Sequence, residues 1–389
     1  MACVLSTQNR FYVELESAYG MAPAIAAGDR LSAVKLSIQQ ERDIRRRRDK
    51  TGGRTYLGVS PGSRKKTKFS LQTYLVENAS PASPPAAGPL VRATLGAAPL
   101  IFGGSTAGSG SSTTQINFSG SHGLVPGQAF GFNGELRFVE SVVDSNTVDV
   151  NAPFTTPPTS GETLTAAVSY LPEDELPSVS IFDYWDPSEA IDRILVGGAC
   201  DRMRVRVNAD YHEMEFSGEA QDVLDTESFA SGQGGLSSFP AEPALSGSTG
   251  LPVPGNLGQA FLGTPGSKFL TVTSALLQIG NDIDLRNREF GTSVPQCLAA
   301  GVREVIAEFE LFGNHDQQTR DLYAAARSET PIGVMFQLGE AAGQMMGVYM
   351  SQVVPEVPEF EDDERILRWR FGNSRAQGTV NDEVVVAFG

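Results

Sequence analysis

The feature that most constrains the fold is a repeated alternation. Residues 31–76 and the last third, Leu270 to Gly389, carry apolar and polar positions in the same order. Leu36, Ile38, Ile44 and Arg45 fall on Leu277, Ile279, Leu285 and Arg286 at an offset of 241, and Phe69 and Leu71 fall on Phe309 and Leu311 at 240. A second stretch matches at 154, with Pro177, Val179, Ile181 and Phe182 on Pro331, Gly333, Met335 and Phe336, and Ile194 on Val348. One residue of slippage brings Met214 and Phe216 onto Trp369 and Phe371. A repeated unit must bury its apolar face the same way twice, so it limits the architecture before any single element does. The change of offset, 240 − 154 = 86, predicts about 86 extra residues in the first copy between Val76 and Pro177.

Within each copy the period is that of strands. Residues 31–45 alternate Val34, Leu36 and Ile38 with Lys35, Ser37 and Gln39, as a half-buried strand does. Alternation returns from Lys66 to Val76, where Lys68, Ser70 and Gln72 oppose Phe69 and Leu71. Residues 46–63 between them are charged and Gly-rich, which makes a hairpin with a long protruding loop. Residues 89–98 predict a short helix with Pro89 in its first turn. Its counterpart is Asp316 to Ser328, with Asp316 as the capping residue. Short strands at Gln115 to Phe118, Ala129 to Phe132, Leu136 to Val143, Thr147 to Val150 and Thr163 to Tyr170, separated by turns such as Asn133-Gly134, read as a small all-β module.

The sequence therefore predicts a mainly β chain with two tandem sandwich or barrel domains, each carrying a short helix. The expected boundaries are 1–99 with 171–221 for the first domain, 100–170 for an inserted β domain on the outer surface, 222–267 for a Gly/Ser/Pro linker, and 268–389 for the second domain.

A formal charge of −16 argues against a chain that wraps nucleic acid, because such binding rests on Lys and Arg releasing phosphate counterions. Residues 30–68 nevertheless hold 13 Lys and Arg against three acids, a local +10. That polarity suits self-association, with a basic loop on one copy meeting an acidic wall on the next. The loop candidates are Arg42, Arg45, Arg46, Arg47, Arg48, Lys50, Arg54, Arg64, Lys65 and Lys66. The acidic candidates are Glu173, Asp174 and Glu175, and Glu361, Asp362, Asp363 and Glu364, neither cluster having the spacing of a calcium loop.

Cys3, Cys200 and Cys297 are unclustered, and His122, His212 and His315 lie far apart, so neither a disulfide framework nor a metal site is expected. Gly103, Gly104, Gly108 and Gly110 are followed by no Gly-Lys-Ser/Thr, so they read as a flexible stretch and not as a phosphate loop. Nothing points to an enzyme or a cofactor. No apolar run approaches the ~20 residues that cross a bilayer, and the N-terminus lacks the layout of a signal peptide, so a soluble chain made in a cytoplasm is expected.

Glu16-x-x-Tyr19-Gly20, the paired long strands with their protruding loop, the short helix, and the closing run Asn381 to Phe388 give the chain a layout that resembles the major tail tube proteins of siphophage-type bacteriophages, which have long non-contractile tails. The resemblance covers both copies and leaves out the insertion. It implies a virion structural protein, assembled in the host cytoplasm, that polymerises as stacked rings into a conduit for genome DNA during ejection. Its partners would be copies of itself, the tape measure protein, the tail terminator and the distal tail proteins, with no membrane segment. In that family six tube domains close a ring and each lends four strands to one barrel. With two domains per chain three subunits suffice, 6/2 = 3, and six chains are the alternative. A 24-stranded barrel would be roughly 45 Å across.

Under that resemblance Ser37, Gln39, Ser70, Gln72, Gln278, Glu308 and Glu310 would line the lumen, where net negative charge keeps phosphates from adhering. Lys35, Lys68, Arg368 and Arg370 occupy comparable alternating positions; either neighbouring carboxylates pair with them or they belong to the other face. The loop 42–66 is assigned to contacts with an adjacent ring. Two rivals remain. A host-binding or adhesive virion protein would use the inserted module as its working part. A polysaccharide-degrading enzyme would need an acid pair and aromatic platforms, and the chain has only Trp185 and Trp369.

Overall fold

The computed structural model describes residues 4–42, 49–50, 52–55, 58, 62–78, 80–186, 190–208, 210–245, 250–264, 266–362 and 365–389. The chain is mainly β, with 45% strand and 7% helix. The first unit opens with β1 (Asn9–Leu15), β2 (Ala33–Arg42), β3 (Lys65–Tyr74) and α1 (Gly88–Leu95). The insertion contributes β4 (Leu100–Phe102), β5 (Gln115–Asn117), β6 (Ala129–Phe132), β7 (Glu135–Val142), β8 (Thr147–Val150) and β9 (Ala167–Tyr170). The first unit then resumes as β10 (Val179–Trp185), β11 (Arg193–Val207), β12 (Glu213–Ala220) and β13 (Asp222–Asp225). The second unit comprises β14 (Gly258–Leu262), β15 (Val272–Gly280), β16 (Glu304–Phe312), α2 (Gln317–Arg327), β17 (Ile332–Leu338), β18 (Met346–Val354), β19 (Glu359–Glu361), β20 (Arg368–Ala376) and β21 (Val385–Phe388).

One antiparallel sheet runs through both units in the order β2-β3-β12-β11-β15-β16-β20-β19. It curves as a half-barrel. Strand alternation gives it one polar and one apolar face; β3 buries Thr67, Phe69, Leu71 and Thr73 and turns Lys66 and Lys68 to solvent. A second layer covers the apolar face, as β1-β10-β11-β13 in the first unit and β14-β17-β18-β21 in the second. Between the layers lies one continuous core, with Leu71, Phe216, Leu277 and Phe309 from the long sheet meeting Ile181, Leu195, Val334 and Phe336. Leu90 and Val91 of α1 and Leu322 of α2 plug its ends. Asp316 caps α2 by accepting from Thr319 N at 2.7 Å, as its position before the helix formers predicts.

The units share one connectivity. The pairs β2·β3, β3·β12 and β12·β11 recur as β15·β16, β16·β20 and β20·β18. Phe182 pairs with Ile194 as Phe336 pairs with Val348, at the offset of 154. The first hairpin is displaced from the sequence alignment. Phe216 and Phe371 are paired with Leu71 and Phe309, so that offset is 309 − 71 = 238 and not 240. A shift of two residues leaves every side chain on its own face, so alternation alone does not reveal it.

The connecting segments depart further from expectation. Residues 222–267 are no free linker: β13 completes the first unit and β14 begins the second. Phe229, Leu236 and Phe239 between them cover Tyr12, Phe182, Tyr184 and Leu224, the outward side of the first unit's second layer. Glu242 fixes this cover by accepting from Arg10 at 2.5 and 2.7 Å and from the Tyr12 hydroxyl at 2.9 Å.

The insertion does the same for the second unit. Phe261, Met335 and Val385 point away from the long sheet and are buried under Leu136 and Phe138. The insertion's ends, β4 and β9, extend the second unit's layer through β21, pairing Val168 with Phe388 and Tyr170 with Val386. Its middle is the sheet β5-β8-β7-β6 with a core of Ile116, Phe118, Phe130, Val148 and Phe154. The stretch after Phe102, expected to be flexible, pairs Ser105–Thr106 with Thr163–Leu164. The insertion thus lies on the side away from the polar face, where the apolar face of the second unit's layer needs it as cover.

Candidate assembly interface

The polar face of the long sheet collects the side chains that alternation assigns to it. Ser37, Ser70, Gln72 and Lys35 line one concave pocket of about 310 Å³ together with Arg204, Arg206, Glu213 and Glu215. Charge sign changes from strand to strand. β3 presents Lys66 and Lys68, β12 presents Glu213, Glu215 and Glu219, and β11 presents Arg202, Arg204 and Arg206. β16 presents Glu304, Glu308 and Glu310, and β20 answers with Arg368, Arg370 and Arg375.

Cross-strand pairing follows from that striping. Lys66 Nζ lies 2.8 Å from Glu219, and that hydrogen bond raises the Lys66 pKa. Gln72 donates to Glu213 at 2.8 Å and Ser70 to Glu215 at 3.2 Å. Arg204 donates to Gln278 at 2.9 Å, Ser274 to Glu310 at 3.2 Å, and Arg375 reaches Glu304 at 2.7 Å. Arg370 stands 3.8 Å from Glu310 and Arg368 3.5 Å from Glu361. The open question about Lys35, Lys68, Arg368 and Arg370 is resolved: they share the face of Ser37, Ser70 and Glu310. The face carries columns of opposite sign, acidic on β12 and β16 and basic on β3, β11 and β20. Arg202, Arg204, Arg206, Glu213, Glu215 and Glu219 escaped selection as site residues, although the runs RMRVRV and HEMEFSGE carry them at period two.

The edges of this sheet are the second element of the interface. Between the units, β11 pairs with β15 from Arg202–Gly280 to Val207–Ala275. This internal seam buries Val205 and Leu277 to 3% exposure each. Asn281 locks it by donating to Thr94 O at 2.9 Å and Cys200 O at 3.2 Å. At the outer flanks nothing among the described residues plays that part. β2 pairs with β3 alone, and β19 with β20 alone. Phe360 on β19, the counterpart of Val205, is 55% exposed and stacks on Trp369 with centroids 5.1 Å apart. The helices repeat the contrast. α1, beside the seam, buries Leu90, Val91, Ala93, Thr94 and Leu95, whereas α2, beside the open flank, buries only Thr319, Leu322 and Ala326.

The charged loop candidates scatter. Arg45, Arg46, Arg47 and Arg48 lie outside the described residues, as do Asp363 and Glu364. Arg42, Lys50 and Arg54 are exposed. Arg64 donates to Arg288 O at 3.0 Å, and Lys65 pairs with Asp222 at 2.8 Å, so these cations tie the hairpin to its own chain. Glu173 accepts through its carbonyl from Arg303, Asp174 accepts from Asn381 at 3.1 Å, and Glu175 and Asp362 are exposed.

Among the described residues, the cysteines and histidines do not converge. Cys200 is buried, which pushes its thiol up to about 12, and burial lowers the His212 pKa. Among the described residues no three His, Cys, Asp or Glu could hold a metal ion, and no helix is long and apolar enough to cross a membrane. Compared with known proteins, the chain matches no protein-family model and no curated sequence.

Proposed function

We propose that this chain is a structural subunit that closes edge to edge into rings and stacks them into a tube, in the manner of a siphophage tail tube that conducts genome DNA. The internal seam carries this reading. β11 and β15 join two units of identical strand order, and the open flanks are the pseudo-equivalents of those two strands, β19 and β2. A second chain placed as the second unit is placed on the first would pair its β2 with β19 and continue the sheet. Unpaired edges of this kind recruit strands until the sheet closes. Each chain supplies eight strand positions, so three chains give 3 × 8 = 24, a barrel roughly 45 Å across.

The lining would be the striped polar face. Phosphates passing it would meet alternating carboxylates and cations, of which Lys66, Arg370 and Arg375 already stand beside Glu219, Glu310 and Glu304, and the interspersed carboxylates would repel them. Axial contacts fall to the loops 42–66 and 281–303, which leave the same end of the long sheet. Phe290 is fully solvent-exposed in the second of them. The proposed partners are further copies, the tape measure, terminator and distal tail proteins, and DNA in the bore; the virion is the proposed location.

Negative-stain microscopy and native mass spectrometry of the purified chain test this reading. Trimeric rings or hollow tubes are expected. A protein that stays monomeric across the accessible concentration range overturns it.

A further inference from the structure

The two open flanks are not alike. β2 is ten residues long without proline, and it exposes Val34 at 46%. The opposite flank is interrupted. In the first unit β11 runs fifteen residues without a break, while its counterpart is split into β18 and β19 by Pro355-Glu356-Val357-Pro358. Strand register fixes the correspondence: Arg204 pairs with Glu215 and Glu359 with Arg370, so 370 − 215 = 359 − 204 = 155.

Pro358 therefore stands where Met203 stands, and Met203 pairs with Phe216 on one side and Ile279 across the seam on the other. Proline has no N–H, so a ladder bond is lost to one neighbour or the other. Pro355 falls beside the irregularity at Asp201, where the register of β11 shifts. Glu356 N turns to the Ser374 hydroxyl at 3.1 Å instead of joining a ladder. Phe360 stacks on Trp369, its cross-strand partner, with Tyr323 5.6 Å from the same ring.

We infer that residues 355–361 form an assembly gate. In the free chain the two prolines hold this edge short and out of line, so the half-barrel persists without pairing to the open β2 edge of a second copy. Ring closure extends β19 against that strand. Carrying over the register of β11 on β15, with Leu36–Leu71 equivalent to Ala275–Phe309 (275 − 36 = 239), places Phe360 opposite Ile38 of the second copy, where Val205 faces Leu277 in the internal seam. A sheet with two unguarded edges would polymerise wherever two copies meet, and proline is a known means of blunting one. The inference rests on the tube reading and adds to it a control over when closure occurs.

The test compares the wild-type chain with the double variant Pro355→Asp, Pro358→Met, which restores the residues of the first unit. The concentration needed for assembly, read by sedimentation, should fall by about tenfold, the factor that one or two recovered ladder bonds supply. Hydrogen exchange on the wild type gives a readout that does not depend on the variant folding. Those amides among Val357, Glu359, Phe360 and Glu361 that β20 leaves unpaired should exchange freely in the free chain and become protected in tubes. Tubes from both proteins at the same concentration, or amides already protected in the free chain, overturn the gate and leave the tube reading standing. No rings or tubes from wild type at any concentration removes both.

Discussion

Arg137 is the residue on which the docking of the insertion turns. Its guanidinium is fully buried, 2.9 Å from Glu135 and 3.2 Å from the Gln337 side-chain oxygen of the second unit, with the Phe261 ring centroid 4.5 Å away. Burial pulls its pKa down to about 10, so it stays charged at neutral pH. Arg137→Ala leaves Glu135 without its cation and should cost about 3–5 kcal/mol, read as a lowered thermal midpoint. Burial alone would raise the Glu135 pKa, but hydrogen bonds from Thr155 and the Arg137 charge hold it below the usual 4.5. A depressed carboxylate pKa stabilises the fold above the unfolded value, and that contribution is lost as pH falls through the folded one. Melting temperature should therefore drop more steeply below about pH 4.5 for wild type than for Glu135→Gln; parallel curves would contradict it. Nothing in the local sequence marks Arg137, since its partners Gln259 and Gln337 lie 122 and 200 residues away.

At the scale of elements, Phe360 on β19 separates folding from assembly. Half exposed in the free chain, it contributes at most about 1 kcal/mol through its stack on Trp369. Phe360→Ala should leave the melting temperature of the monomer nearly unchanged and raise the concentration needed for assembly by about tenfold. Equal losses of both would place Phe360 in the core and not at an interface. What the sequence made legible here was periodicity: the polar face, both helices and the order of the repeat follow from alternation and from Asp316 and Pro89. The register of the repeat did not, because a two-residue slide costs alternation nothing. The role of β4 and β9 did not either, since Val168 finds Phe388 across 220 residues and no local pattern encodes that choice.

For the molecule as a whole, the insertion decides between the tube and the adhesive reading, but only if the cut is made where the structure allows. Removing residues 100–170 strips the cover from Phe261, Met335 and Val385 and takes two strands from the second unit's layer. That variant should aggregate whatever the function is, so its failure to assemble would discriminate nothing. The far end of the module is different. Val142 and Val143 are exposed there, and the turn Asp144-Ser145-Asn146 closes the hairpin of β7 and β8 by local bonds such as Asn146 N to Asp144 at 2.7 Å. Replacing Val142 to Asn146 by a short Gly-Ser turn keeps Leu136, Arg137 and Phe138 in place. Tubes that form at the wild-type concentration from this variant are expected if the long sheet is the working part. Loss of attachment to a host surface with assembly intact would add an adhesive role to the tube, and loss of assembly itself would move the interface from the sheet edges to the insertion.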